Sequence, residues 1–309
     1  MGTSVFAKEI LESIVREKYQ VLAVFTQPDK KAGRNHEIKI GSDKESAEKQ
    51  KIPVFQPEKL TGEAIEKIKG IGPDIIIVAA YGKIIPKEIL EAPKYKSINI
   101  HPSMLPRFRG PSPIQNAILS GEKETGITIM LMDEKVDQGD ILAQTKVPVH
   151  PDENAEDLSR KIIPLSVKLL LETMPNWIDG KIKSRKQDDS KATYCQLIER
   201  EDGHIFWSET ASEIYNKYRA LYLWPGIFSF WEKDGNIIRL KLTKIKFQEK
   251  DSEEKYELGE VFRLNPEEIG VKAAKGVIIL EEIQLEGKSP LKINEFLNGY
   301  PNFMGNKLK

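Results

Sequence analysis

The sequence predicts an α/β chain built on a parallel sheet and followed by a smaller domain of short strands. Three observations carry that prediction. Helical and extended patterns alternate over the first half of the chain, as they do where helices cross over a sheet. Asp74-Ile75-Ile76-Ile77-Val78-Ala79-Ala80 is apolar on both faces, as a central parallel strand covered on both sides must be. Past residue 200 short strands cluster with little helix between them, the pattern of a small barrel or curled sheet. The chain has 309 residues, and one core seldom grows past about 250, so two domains are expected. We place the first at residues 1–178, a polar linker at 179–202 and the β-barrel at 203–309.

The elements follow in order. Phe6, Ile10 and Ile14 recur at every fourth position beside Ala7, Leu11 and Val15, which predicts an opening helix. Val21 to Phe25 reads as a buried strand. It leads into a loop whose basic run includes Lys30, Lys31, Arg34 and Lys39, either a solvated surface or an arm that touches phosphate. A short charged helix, an extended Ile52-Pro53-Val54-Phe55 and a helix from about Glu63 to Lys69 precede the central strand. Tyr81-Gly82-Lys83-Ile84-Ile85-Pro86 then sits at that strand's carboxyl end, where open sheets bind ligands.

The stretch that organises the chain is Ser97 to Pro113. Ile98 and Ile100 point to one face of a strand while Ser97, Asn99 and His101 point to the other. An amide and an imidazole are thereby delivered side by side to a proline-rich loop. A lone histidine often only bonds a nearby carbonyl, and that reading stands beside the catalytic one. Ser112, Pro113 and Gly121 punctuate a helix buried through Ile114, Ala117 and Ile118.

Strands at Ile127 to Met132 and Ile141 to Val149 flank Asp133-Glu134-Lys135-Val136-Asp137-Gln138-Gly139-Asp140, whose acids lack calcium-loop spacing, so no metal is expected. A helix with Leu158, Ile162, Leu165 and Leu169 on one side closes the first domain, with Pro164 expected to kink or interrupt it. In the second domain, a helix from Ala211 to Leu223 precedes a hairpin. Phe228 to Trp231 and Ile237 to Phe247 flank its turn, Glu232-Lys233-Asp234-Gly235-Asn236. Short strands follow at Gly259 to Leu264, Val271 to Ala274 and Val277 to Leu285.

Composition excludes several classes. Lysine plus arginine equals aspartate plus glutamate at 47 each, so no global field draws nucleic acid or membrane, and such a partner must meet a local patch. Cys195 is the only cysteine, which excludes an internal disulfide framework and a cysteine-rich zinc site and fits a reducing compartment. No apolar run approaches the roughly 20 residues of a membrane span, and the amino terminus lacks a signal-peptide layout. A soluble, cytoplasmic, monomeric protein is expected.

Several motifs, in order along nearly the whole chain, resemble the 10-formyltetrahydrofolate-dependent formyltransferases, and within them the branch acting on methionyl-tRNA. They are Val24-Phe25-Thr26-Gln27-Pro28-Asp29, Ala32-Gly33-Arg34, Pro53-Val54-Phe55-Gln56-Pro57, Ala79-Ala80-Tyr81-Gly82, Asn99-Ile100-His101, Leu105-Pro106-Arg107-Phe108-Arg109-Gly110, Asp137-Gln138-Gly139-Asp140 and Trp224-Pro225-Gly226. Each is weak alone; their joint order is specific.

The resemblance implies a Rossmann-like catalytic domain, a linker and an OB-type barrel that helps hold tRNA. It implies 10-formyltetrahydrofolate as formyl donor, initiator Met-tRNA as acceptor, and Asn99, His101 and Asp137 as the catalytic trio. Asn99 and His101 would stabilise a developing oxyanion, and Asp137 would help move a proton from the attacking amine. Without the resemblance Asn99 reads as a turn cap and Asp137 as loop punctuation. By the same likeness Ser103, Met104, Leu105 and Pro106 line the folate site, with Tyr81, Gly82, Ile84 and Ile85 near the pterin. Arg34, with Lys30, Lys31 and Lys39, would reach the acceptor stem, while Arg107 and Arg109 brace their loop.

Two departures accompany the likeness. Gly2-Thr3-Ser4 follows Met1 directly, where the family has a strand ending in Gly-Thr-Pro, so the first sheet strand is expected to be absent and a gap to open beside its neighbours. Gly41-Ser42-Asp43-Lys44 stands where the family carries a proline-bearing stretch. The alternatives are a sibling enzyme formylating an amino sugar or glycinamide ribonucleotide, and a non-catalytic protein that binds tRNA or folate.

Overall fold

The computed structural model describes residues 1–32, 37–39, 41–250 and 256–309, with backbone alone at 30–32 and 37–39. Packing divides the chain into two units. The first comprises residues 1–113, 124–148 and 159–196, the second residues 114–123, 149–158 and 197–309.

In the first unit, Ser97–His101 pairs in parallel with Ile76–Val78 and antiparallel with Glu124–Leu131, which pairs antiparallel with Ile141–Pro148. The sheet is therefore mixed, where a parallel one was expected. The loop joining its last two strands is too short for a parallel crossover, which takes a dozen residues or more, so the chain turns back as a hairpin. Every residue of Ser97–His101 is buried, as a strand covered on both faces must be. The register sets Asn99 opposite Val78 and Met130, and His101 opposite Thr128.

The sheet is interrupted at the expected gap. Among the described residues Val24–Phe25 ladders only with Val54–Phe55, and no strand ladder joins that pair to Ile76–Val78. Met1 and Gly2 bridge the two pieces at one end: Gly2 N–H donates to Phe25 O at 3.0 Å, Ala79 N–H to Met1 O at 3.0 Å, and the Met1 amine to Ile77 O at 2.7 Å. Burial lowers the pKa of that amine to about 6. Behind the bridge lies a cavity of about 320 Å³, lined by apolar residues that include Ile10, Ile14, Val24, Ile76 and Met174. The gap also explains why the strands expected over Val21 to Phe25 and Asp74 to Ala80 shrink to two and three residues. A strand is defined by its ladder, and here, among the described residues, one side is met only by the short Met1-Gly2 bridge.

The opening helix, Val5–Arg16, begins at Ser4, whose hydroxyl accepts from Ala7 N–H, and buries Ala7, Ile10, Leu11 and Ile14. The long helix Ala155–Ile178 continues through Pro164, so the proline does not interrupt it. Pro164 lies on the exposed face, while Leu158, Ile162, Leu170 and Met174 stay buried and hold the helix in place from the other side.

The second unit holds a six-stranded antiparallel sheet. Its order is Val261–Arg263, Ile269–Lys272, Val277–Leu285, Asn236–Gln248 and Ile227–Lys233, with Leu291–Lys292 added beside Val277–Leu285. The predicted hairpin is present, and its turn residues Asp234 and Gly235 both have positive φ, 50° and 76°, as a type I′ turn requires. The strands do not close into a ladder of their own. Instead the carboxyl-terminal residues reach both edges: Lys309 exchanges backbone bonds with Phe230, and Leu308 N–H donates to Gly259 O at 2.9 Å. Trp231, Phe296 and Phe303 meet edge to face in the core beneath. Residues 149–158 belong to this unit because Arg219, buried, donates to Glu153 O at 2.7 Å and His150 O at 3.2 Å. Among the described residues no helix is long and apolar enough to cross a membrane.

Candidate active site

The carboxyl end of Ser97–His101 and two loops of the first unit meet at one point. Asn99 Nδ2 donates to Asp137 Oδ1 at 3.5 Å, and His101 Nδ1 lies 3.5 Å from Asp137 Oδ2. The strongest bond of the three segments is the 2.8 Å donation from Gly110 N–H to Asp137 Oδ2. A carboxylate accepting from an amide is a charge-assisted bond, worth about 1.5–3 kcal/mol net. Residues 38 positions apart in sequence are thus brought together by a loop in which Asp137 holds a left-handed backbone, φ 53°. A non-glycine residue there is strained and persists only where its surroundings over-determine it.

His101 is nearly sealed, 4 % exposed, and its Nε2 lies 2.8 Å from Phe108 O. A carbonyl only accepts, so Nε2 carries the hydrogen and Nδ1 is the atom turned toward Asp137. The bland reading of a lone histidine, a bond to a nearby carbonyl, is therefore present. The carboxylate on its other nitrogen goes beyond it.

The loop between His101 and Gly110 is pinned throughout. Ser103 Oγ donates to Arg107 O at 2.6 Å, Thr128 Oγ1 donates to Ser103 O at 2.7 Å and accepts from Leu105 N–H at 3.2 Å, and Gln144 Nε2 donates to Leu105 O at 2.8 Å. Thr193 Oγ1 accepts from Phe108 N–H at 2.8 Å, and the backbones of Arg109 and Tyr194 bridge in parallel. Residues 187–195, read from composition as linker, are in fact a wall of the site. Thr128 is a lone polar residue between Ile127 and Ile129, a signal that was there to find, whereas Gln144 is followed by Thr145 and Lys146 and does not stand out. Gln187 and Thr193 carried none, because their partners lie about 50 to 85 residues away.

Arg109 is 1 % exposed, and Gln187, Asp189 and Tyr194 surround its guanidinium at 2.6 to 3.2 Å. Burial alone would lower its pKa, but the bonds to Asp189 and Tyr194 outweigh it and raise the value. Bracing of the loop by Arg109 is what these contacts do.

Of the residues the resemblance assigns to folate, Ser103, Leu105, Tyr81 and Ile85 are buried, whereas Ile84 is 84 % exposed and Met104 and Pro106 are half-buried. Tyr81 O accepts from Gln27 Nε2 at 2.7 Å, and burial pushes the Tyr81 phenol up to about 12. Gly82, with φ 70°, is exposed. Arg34 lies outside the described residues, as do the side chains of Lys30, Lys31 and Lys39.

The acids of the 133–140 loop are partnered separately: Asp133 by Lys135 N–H, Glu134 by Lys87, Asp140 by Ser184. Among the described residues no group of three histidine, cysteine, aspartate or glutamate side chains could hold a metal ion.

Cys195 is buried against Arg109 O, and burial raises its pKa. The thiol therefore stays protonated at neutral pH. An alkylating reagent at pH 8 is expected to leave the native chain unmodified by mass spectrometry while labelling it fully in denaturant; rapid native labelling would contradict this burial.

A model for the formyl transferase family matches residues 1–174, and one for the formyl transferase C-terminal domain matches residues 197–301. The chain belongs to the formyl transferase family. Among its relatives, it is 43% identical over 303 residues to the methionyl-tRNA formyltransferase of Caldicellulosiruptor saccharolyticus, a match covering 97% of this chain and 96% of that one. It is 41% identical over 311 residues to the methionyl-tRNA formyltransferase of Dictyoglomus turgidum, covering 100% and 98%. Of solved structures, an N-formyltransferase from Helicobacter canadensis, in complex with folinic acid and dTDP-3-aminofucose, matches with a TM-score of 0.65 at 21% identity, over 90% of this chain and 96% of that one. A sugar 3N-formyl transferase, in the presence of dTDP and 5-N-formyl-THF, matches with a TM-score of 0.64 at 20% identity, over 93% and 97%. These two structures share the fold.

Proposed function

We infer that the chain transfers a formyl group from 10-formyltetrahydrofolate to the α-amine of methionyl-initiator tRNA. The relatives at 41% and 43% identity over nearly the full chain support this reading. The single observation that carries its chemistry is the convergence of Asn99, His101 and Asp137 at 3.5 Å.

The neutral amine of the acceptor attacks the formyl carbon on N10 of the folate, and negative charge grows on the formyl oxygen; as that charge collapses the bond from the carbon to N10 breaks, and the proton given up by the amine ends on the leaving N10. Asn99, whose amide makes one long contact among the described residues, keeps donor capacity for that oxygen. His101 adds a second polar group beside it. Asp137, held by Gly110 N–H and facing Nδ1 of His101, is the group to accept the amine's proton directly or through a water. The residues present fit a flat, apolar cosubstrate: Ile84 offers an exposed apolar wall, and exposed Gly82 lets backbone approach.

In this reading residues 1–178 are catalytic, the connecting stretch 179–202 lends residues 187–195 to the wall of their site, and residues 203–309 hold the tRNA. Lys30, Lys31, Arg34 and Lys39 form, on sequence alone, an arm for the acceptor stem. The protein acts as a cytoplasmic monomer without metal.

The test is transfer of labelled formyl from 10-formyltetrahydrofolate to Met-tRNA. Transfer is expected. Formylation of a nucleotide-linked amino sugar but not of Met-tRNA would replace this reading with a sibling enzyme, and binding of tRNA or folate without any transfer would make the chain a binding protein.

A further inference from the structure

Asp137 holds a strained backbone conformation, and something must impose it. Gly110 N–H fixes its carboxylate, but the backbone of its loop is gripped from elsewhere. Gln187 Nε2 donates to Asp137 O at 2.8 Å and to Gly139 O at 2.8 Å. Its Oε1 accepts from Arg109 Nε at 3.1 Å and from Arg109 Nη2 at 2.8 Å. The two amide hydrogens and both lone pairs of the amide oxygen are thereby used.

Only one orientation of the amide satisfies this surround, since two carbonyls must face nitrogen and a guanidinium must face oxygen. No other side chain of that length offers two donors on one side and an acceptor on the other. The guanidinium is itself locked by Asp189 Oδ1 at 2.6 Å and by the Tyr194 hydroxyl at 3.2 Å. One residue beyond it, Gly110 supplies the N–H that holds the Asp137 carboxylate. Arg109 and Gln187 therefore tie the backbone of the 137–139 loop to the loop that carries Gly110.

We propose that Gln187 is a positioning residue that sets the placement of the Asp137 carboxylate against His101 and Asn99, a role that rests on the reading of Asp137 as catalytic. It acts through Asp137, and its amide is fully used by protein groups. The case for positioning is that the contacts it organises, at 3.5 Å, are already at the limit of hydrogen bonding. A small drift of the loop would break them, and a misplacement of about 1 Å at a reacting group can cost a hundredfold in rate.

The test uses the full-length enzyme and the conservative change Gln187→Glu, which keeps the acceptor for Arg109 and removes both donations to the loop. Gln187→Met, which places no carboxylate against the two carbonyls, is the second variant, and melting temperatures show that both are folded. Each is expected to lower kcat about tenfold or more while leaving KM for folate and for tRNA within about twofold. In an Asp137→Asn background, assayed with excess enzyme, Gln187→Glu is expected to cause no further loss, because the group it positions is gone.

Three results would overturn the proposal: an unchanged kcat, a rise in KM alone, or the same fold-loss in both backgrounds. If Gln187→Glu is silent while Asp137→Asn is crippled, positioning alone is lost. If Asp137→Asn turns over normally, the catalytic reading of Asp137 falls and takes the role of Gln187 with it.

Discussion

Replacing His101 by alanine is expected to lower the rate of formyl transfer to Met-tRNA by about 10³, as loss of a group that takes part in proton transfer does in other active sites, here the imidazole that faces Asp137. Binding should change far less, because His101 is 4 % exposed and offers little surface to either substrate. The variant also removes the Nε2 donor to Phe108 O, leaving that buried carbonyl, among the described residues, only the 3.7 Å contact from the Cys195 thiol, and a poorly satisfied buried carbonyl costs about 1–3 kcal/mol, so a lower melting temperature accompanies the loss of rate. His101→Gln separates the two effects. Its amide restores a donor for Phe108 O but not an imidazole, so stability should recover and the rate should not. Steady-state kinetics beside thermal melts make the comparison, and a His101→Ala enzyme within tenfold of the unaltered protein would remove His101 from the chemistry.

The strand that carries Asn99 and His101 was legible because its information is local. Period-two alternation and a run of prolines fix both its faces and its end. The hairpin at Asp234-Gly235 was legible for the same reason, since two residues of positive φ leave a compositional mark. What stayed hidden is non-local. Nothing in the polar stretch around Gln187 announces that its amide bonds carbonyls 48 and 50 residues away, and low apolar content is as typical of a solvated linker as of a hydrogen-bonded wall. That the helix continues past Pro164 was not legible, because a sequence shows that a helical bond is lost but not how much buried surface holds the rest of the helix in place. The mixed sheet was missed because burial on both faces looks alike for parallel and antiparallel strands.

The local and non-local parts have different mechanical roles, and this sets where substitutions act. Asn99 and His101 ride on a rigid central strand, so changes there alter chemistry while the sheet persists. Asp137 rides on a loop held by a handful of side-chain bonds, so it can be displaced by changes that leave every catalytic group intact.

Gly139→Ala is the sharpest such change, expected to cut turnover a hundredfold or more by moving Asp137, two residues away. A Cβ at residue 139 would collide with Leu131 O, and it would sit 2.9 Å from the carbonyl carbon of Leu131 and 3.5 Å from Asp133 N. These are backbone atoms at the end of a sheet strand, and they cannot swing aside as a flexible side chain could. The loop must give way instead. Its closing bond, Leu131 N–H to Asp140 O at 2.8 Å, and the Gln187 bond to Gly139 O at 2.8 Å are then both at risk. Overpacking costs about 1–3 kcal/mol, with roughly 1 kcal/mol more for each bond lost. For a unit of this size that lowers the melting temperature on the order of 5–10 °C. Gln138→Ala is the control one residue away: among the described residues the Gln138 side chain makes one long bond, 3.5 Å to the Tyr194 hydroxyl, so rate and melting temperature should hold. A Gly139→Ala enzyme with normal turnover would mean that the loop accommodates a methyl group without shifting Asp137, and the carboxylate would then not depend on the packing that surrounds it.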